Sequence, residues 1–232
     1  VMLAASFEKY LNRYGVVPDE SPVIFTNNSS TFSLLKSLTD LGHKPKAYVD
    51  IRDQKSIEKE TLDLLGKFNI PFYPKSEIEG CEGQKEVKKV SIRTKKNQIS
   101  KIKTSMLCVS GGFNPDIHLF TQSKGLLKWD KDHLTFKPDR IFQKTITLGS
   151  VSGNFSYEKL LVEVEKKLSE FEGLNELEVK FELNGPEKFQ IKELWETKHE
   201  KKSLWSKSFI DLQNDVTTKD LRQAVNEGFN RI

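Results

Sequence analysis

PVIFTNNSSTFSLLKSLTDLGHKPKAYVDI, residues 22–51, is the stretch that decides the architecture. PVIFT (22–26) is a short apolar run that reads as a buried strand. Asn27, Asn28, Ser29 and Ser30 form a polar turn rich in residues that cap helix N-termini. Phe32, Leu34, Leu35 and Leu38 then mark one face of a helix that stops at Gly42, and KAYVDI (46–51) is the next strand. IEKETLDLLGKF (57–68) predicts another amphipathic helix and NIPFYP (69–74) another strand. A β-α-β-α-β run calls for a parallel sheet with right-handed crossovers.

The period then changes. EVKKVSIRTKKNQISKIKTSMLCVS (86–110) alternates apolar and polar positions around a KKN turn at 95–97. It predicts an antiparallel hairpin followed by a buried strand at 105–109. The expected fold class is therefore α/β: a nucleotide-binding, Rossmann-like three-layer lobe of the two-dinucleotide-domain flavoprotein type, with an antiparallel β-meander and helical return segments. Upstream, VMLAASFEKYLNRYGV (1–16) reads as the interior of a helix, with Leu3, Phe7, Tyr10, Leu11 and Tyr14 near 3.6-residue spacing. Downstream come a glycine pair, a helix near 116–123 and a hairpin-like KWDKDHLTFKP (128–138). ITLGSVSGNFSYEKLLVEVEKKLSEF (146–171) reads as a short strand, a glycine turn and a long helix. Residues 173–207 read as a charged connector with little core of its own. In FIDLQNDVTTKDLRQAVNEGFNRI (209–232), a strand leads to a helix capped by Thr217 or Thr218, with Leu221, Ala224, Val225 and Phe229 on one face. Neither end has the character of a natural terminus, so the chain is expected to be an internal piece of a larger protein.

Composition narrows the functional classes. Hydrophobic residues make up 36% of the chain and charged residues 30%. No window approaches the ~18 apolar residues of a membrane span, so no membrane association is expected. Cys81 and Cys108 form no CxxC motif and have no histidine at ligand spacing, which predicts no metal site and fits a reducing, cytoplasmic compartment. The net charge of +4 comes from lysines dispersed among glutamates. The densest basic run, 88–103, lacks the interleaved aromatics of a nucleic-acid surface and reads as the solvated face of a hairpin, so no nucleic-acid partner is expected.

The candidate chemistry lies at turns. A dinucleotide turn needs glycines so that the backbone can approach a pyrophosphate. TNNSST (26–31) has none, although Asp50 at the end of the following strand is placed to accept ribose hydroxyls. Ser110, Gly111, Gly112 and Asn114 follow one predicted strand. Gly149, Ser150, Gly153, Asn154 and Phe155 follow another. Backbone amides at either turn are candidates for phosphate or ribose contacts; ordinary strand–helix punctuation is the competing reading. The four histidines, His43, His118, His133 and His199, lie in no nucleophile motif. Asp211, Asn214, Asp215 and Asp220 are explained by capping and turn bonding, and no catalytic residue is assigned.

VSGGFNPDIHLFTQSKGLLKWD (109–130), FIDLQNDVTTKDLRQAVNEGFNRI (209–232) and MLAASFEKYLNRYGV (2–16) together resemble the alpha subunit of heterotetrameric sarcosine oxidase. LWE (194–196) adds to the likeness. The resemblance implies the middle of a chain about four times as long. Residues 1–20 would lead from a missing first nucleotide-binding lobe, and 21–104 would be a degenerate second lobe. Residues 105–172 would return to the first lobe, 173–207 would connect, and 208–232 would begin a bridge to a missing folate-binding domain. It implies NAD held in the first lobe and completed by the Ser110–Asn114 and Gly149–Phe155 segments. FAD and FMN would belong to the full complex, and the partners would be beta, gamma and delta subunits. The implied reaction oxidises sarcosine to glycine, forms hydrogen peroxide and transfers the one-carbon unit to tetrahydrofolate, bound through the missing C-terminal domain. The segment is expected to be inactive alone. The alternatives are an alpha-like subunit of another FAD/NAD-dependent amine or amino-acid dehydrogenase, and a scaffold lobe that binds nothing.

Overall fold

A computed structural model describes residues 1–143, 145–154, 157–172, 190–197, 208–211 and 214–229. The elements are β1 (Met2–Leu3), α1 (Ala4–Tyr14), β2 (Val23–Thr26), α2 (Thr31–Asp40), β3 (Ala47–Asp50), α3 (Lys59–Lys67), β4 (Phe72–Pro74), β5 (Glu77–Glu82), β6 (Lys89–Arg93), β7 (Ile99–Lys103) and β8 (Leu107–Ser110). They continue with α4 (His118–Gln122), β9 (Leu126–Asp130), β10 (Thr135–Arg140), α5 (Tyr157–Glu172), β11 (Phe209–Asp211), β12 (Val216–Thr217) and α6 (Thr218–Asn226).

The central sheet has the order β1-β8-β2-β3-β4, and every pairing is parallel. Strand alternation divides its side chains between two faces. Ile24, Tyr48 and Cys108 point to the helical side and pack with Phe7 of α1, Leu34, Leu35 and Leu38 of α2, and Leu65 of α3. Val23, Ala47, Val49 and Leu107 point the other way, onto Ile78, Val90 and Ile92 of the β5-β6-β7 meander. The result is the expected three-layer α/β lobe: helices, parallel sheet, antiparallel meander. Its strands read as unbroken apolar runs because both faces are covered. Phe7, Leu34, Leu35 and Leu38 are fully buried, each contributing ~1.5–3 kcal/mol relative to exposure.

Several expectations need correction. The opening segment is not helical from its start: Met2 and Leu3 form a strand beside Cys108 and Val109, and the helix begins at Ala4. The pairing comes from 106 residues downstream (108 − 2), which helical spacing does not register. The meander has a further strand, β5, whose Gly80 sits at a register shift that obscures its alternation. No strand precedes Gly149; Leu148 is extended but belongs to no strand among the described residues, and Gly149–Ser152 form a single 3₁₀ turn.

The basic run also has a structural account. Asn97 takes a left-handed conformation (φ 62°) in the β6–β7 turn. Lys89 and Lys101 both reach Glu82, at 2.5 and 3.4 Å, and Arg93 pairs with Glu79 at 2.7 Å. β7 is the meander's edge, where lysines discourage pairing with another chain. Among the described residues, no helix is long and apolar enough to cross a membrane. On α6, Thr217 caps the first turn through a reciprocal box with Asp220, and Leu221 and Val225, with Phe229 beyond the helix end, are exposed.

Candidate functional site

In open parallel sheets, ligands bind beyond the carboxyl ends of the strands. Here those ends are Ser110 of β8, Thr26 of β2 and Asp50 of β3, which lie side by side in register. The turn that follows β2 replaces glycine geometry with side-chain hydrogen bonds. The Thr26 hydroxyl bonds the Asn28 backbone, and the Asn28 Oδ1 accepts from the Ser30 amide at 2.9 Å. The Asn28 Nδ2 donates to Asn27 Oδ1 at 2.7 Å and to Ser110 Oγ at 3.1 Å, and Ser30 and Ser110 share a hydroxyl contact at 2.9 Å. Ser110 is thus part of a closed polar turn. No residue from 27 to 30 has positive φ.

Asp50 is fully buried and does not face an open ribose position. It accepts from the Arg52 backbone amide at 2.8 Å, from Nε at 3.1 and 3.2 Å, and from a terminal guanidinium nitrogen at 2.8 Å. Arg52, 3% exposed, also donates to Ser29 Oγ at 2.9 Å and to the Asn28 carbonyl at 3.2 Å, and lies 3.5 Å from Glu58. Ser29 Oγ donates to Glu58 Oε1. Burial pushes the Asp50 carboxyl above its ordinary range, while the guanidinium pulls against that rise. The expectation that Asp50 takes ribose hydroxyls is corrected: its acceptor positions are already used.

The space beyond the strand ends is filled by the chain itself. Ile191 forms an antiparallel bridge with Asn28. The Lys192 amide donates to the Asn27 carbonyl at 2.9 Å, and Asn27 Nδ2 returns a bond to the Lys192 carbonyl at 2.9 Å. The Gln190 amide donates to Ser29 Oγ at 3.4 Å and its carbonyl accepts from Arg52 at 3.3 Å. Lys192 Nζ donates to the Ile51 carbonyl at 3.0 Å. Gly112 has φ 106°, and a Cβ there would stand 2.6 Å from Ile191 Cδ1, so the glycine admits this segment. The Gly111 carbonyl accepts from Asn27 Nδ2 at 3.4 Å. Residues 190–192 lie in the stretch whose sequence reads as a charged connector with little core of its own, and neither Arg52 nor Glu58 belongs to a recognisable motif. The local signal is an Asp-Ile-Arg triplet at a strand end.

The second glycine turn is elsewhere. Gly149 (φ 66°) opens the 3₁₀ turn that contains Ser150, and Gly153 (φ 79°) closes it. The Gly149 amide and the Asn154 Nδ2 both donate to Glu163 Oε2, at 3.2 and 3.3 Å. A carboxylate from α5 therefore occupies the anion position of this turn. Phe155 lies outside the described residues. Both glycine segments touch one strand: Asn114 Oδ1 accepts from Thr135 Oγ1 at 3.1 Å, and the Lys137 side chain lies against Gly153. Thr135 and Lys137 are two apart on β10 and so share a face. Lys137 also pairs with Asp130 at 2.5 Å, and Lys137, His133 and backbone amides hold the Asp130 carboxyl well below its ordinary range against the effect of burial. The Asp211–Asp220 cluster is used locally: Asn214 bonds Asp211 at 2.7 Å, and Asp220 caps α6.

Over 239 aligned residues covering all of this chain, it is 28% identical to sarcosine oxidase subunit alpha of Rhizobium meliloti (strain 1021). Over 245 residues, again covering all of it, it is 23% identical to sarcosine oxidase subunit alpha of Corynebacterium sp. (strain P-1). It spans 23% and 25% of the lengths of those curated relatives. Among solved structures, LpdA of Mycobacterium tuberculosis superposes with a TM-score of 0.51 at 10% identity, covering 72% of this chain and 38% of that one, which speaks to fold alone. Residues 205–232 match the family described as the sarcosine oxidase A3 domain, and the two curated alignments make the chain similar to sarcosine oxidase alpha subunits along its whole length.

Proposed function

We propose that this chain is the middle segment of a sarcosine-oxidase-type alpha subunit, in which it scaffolds the complex and helps to complete an NAD site without performing chemistry alone. The observation that carries this reading is the closed crevice. Gln190–Lys192, Asn28 and the Asp50–Arg52 pair occupy the ends of β2, β3 and β8, so these residues do not fit a dinucleotide. NAD would instead be held by a glycine-rich loop outside this chain. Ser110–Asn114 and Gly149–Phe155 would line its far wall, supported by their common attachment to one face of β10. NAD would supply a nicotinamide and pyrophosphate there; the chain's part is to position backbone and exclude water.

In the full assembly, with FAD and FMN and beta, gamma and delta subunits, the proposed reaction oxidises sarcosine to glycine. Oxygen is reduced to peroxide, and the one-carbon unit passes to tetrahydrofolate. A second reading, a scaffold that contacts no cofactor, is favoured by the Glu163 carboxylate already seated on Gly149 and Asn154. The two are separated by expressing the full-length subunit with its neighbours, extracting bound cofactors, and assaying peroxide release with sarcosine and tetrahydrofolate. NAD recovered from the assembly and lost on Gly149→Ala or Gly153→Ala supports the first reading; retention in both variants supports the scaffold. Micromolar NAD binding to the isolated chain by calorimetry would overturn the closed-crevice argument.

A further inference from the structure

Residues 190–197 make three separate attachments. At the crevice, Ile191 bridges Asn28 and Lys192 exchanges two hydrogen bonds with Asn27. On the β9–β10 hairpin, Trp195 packs against Trp129 with ring centroids 6.3 Å apart, and Trp129 meets Phe136 edge-on at 5.0 Å. On α6, Glu196 takes both terminal nitrogens of Arg222, at 3.1 and 2.6 Å. Only four positions separate Lys192 from Glu196. Four residues span at most ~14 Å, at ~3.6 Å each, so the crevice contacts lie close along the chain to those of Trp195 and Glu196.

We propose that residues 190–197 are a strap, an intramolecular ligand that closes the crevice of this lobe, and that closure is coupled to the seating of α6 through the Glu196–Arg222 pair. Any ligand reaching the ends of β2, β3 and β8 must first break the main-chain bonds of Gln190 and Lys192. The charges beneath favour the closed form. Asp50 and Glu58 face Arg52, a net excess of one negative charge, and Lys192 on the strap brings a further positive charge to the adjacent Ile51 carbonyl. A phosphate entering after the strap lifts would meet two carboxylates and one guanidinium. By linkage, the factor by which loosening the crevice contacts weakens the α6 contact equals the factor by which loosening the α6 contact weakens those in the crevice.

The test is amide hydrogen exchange, resolved by peptide, on the whole 232-residue chain. Asn27→Ala deletes the side-chain bond to the Lys192 carbonyl, together with those to the Gly111 carbonyl and from Asn28 Nδ2. It should speed exchange across 190–194 by about tenfold, the share of the one bond that holds the strap. Exchange at 218–222, in the first turn of α6, should rise with it. Reciprocally, Arg222→Ala should speed exchange at 190–194, though it touches nothing in the crevice. Strand amides of Ile24 and Val49 serve as the control for an intact lobe. If Asn27→Ala fails that control, Ile191→Ala, which trims only the side chain over Gly112, is read in its place. Unchanged exchange at 190–194 in the intact variant shows that the crevice does not hold the strap. A response at one end without the other shows that the ends are uncoupled. Either result overturns the proposal.

Discussion

Replacing Arg52 by methionine tests whether the closed crevice rests on a compensated charge. The guanidinium is 3% exposed and supplies three of the four hydrogen bonds that reach the Asp50 carboxylate, which is itself fully buried. Methionine keeps the apolar stem and the backbone amide but removes the countercharge. Breaking a buried pair from one side costs about 3–5 kcal/mol, because the remaining charge stays desolvated. With a urea m-value near ~2 kcal/mol/M, the midpoint should fall by about 2 M. The sign of the pH dependence follows from Asp50. Burial already raises its folded-state pKa and Arg52 opposes that rise, so the variant's carboxyl rises further. A carboxyl raised on folding contributes stability below its unfolded pKa and loses it as pH climbs through the folded pKa. Arg52→Met should therefore be closest to the parent under acidic conditions and fall further behind as pH rises above the ordinary carboxylate range. Adding Asp50→Asn should recover part of the loss, since no uncompensated charge remains. Far-UV circular dichroism during urea titration at several pH values reads all three chains. A loss below ~1 kcal/mol, the size of an exposed pair, or a loss independent of pH would refute the reasoning.

Three further outcomes follow from local geometry. Gly149→Ala forces φ 66° on an L-residue and places Cβ 2.8 Å from Leu160, so thermal unfolding should show a loss of ~1–3 kcal/mol; Gly66→Ala, helical with open space around it, should gain ~1 kcal/mol. Thr217→Ala removes the capping box of α6 and should cost ~1 kcal/mol, read as faster exchange of the Asp220 amide rather than as a global shift. With a thiol reagent at pH 8, Cys81, which is exposed, should react promptly. Cys108 should wait for unfolding, because burial pushes its thiol up to about 12 and shields it; rapid labelling of both would contradict the packing of β8.

What the sequence disclosed is what local periodicity can encode. The strands 23–26 and 47–50 are short apolar runs because helices and meander cover both faces, and α2 shows its stripe because only one side meets the sheet. Capping by Thr217 was readable because the box closes within three residues. The β1–β8 pairing and the strap were not readable, since their partners lie more than a hundred residues apart and involve only two or three positions. Gly112 illustrates the limit. Its glycine character was plain, but a ligand and a packed Ile191 side chain both require a residue without Cβ, and only the three-dimensional placement separates them.

The carboxyl ends of parallel strands impose a chemical demand regardless of ligand. Backbone groups and side chains there point into a concave space, and buried polar groups without partners are costly. Where a dinucleotide-binding lobe answers that demand with phosphates and ribose hydroxyls, this chain answers it internally: Arg52 for a carboxylate, asparagine amides for a glycine turn, and the Gln190–Lys192 main chain across the strand ends. Such internal partners compete with any external ligand, since each is covalently tethered and therefore present at high effective concentration. An external nucleotide would have to outcompete them together rather than singly. On that argument, restoring one glycine or deleting one side chain in the 27–30 turn should not recover dinucleotide binding; recovery would require opening the strap and removing the Asp50–Arg52 pair in the same chain.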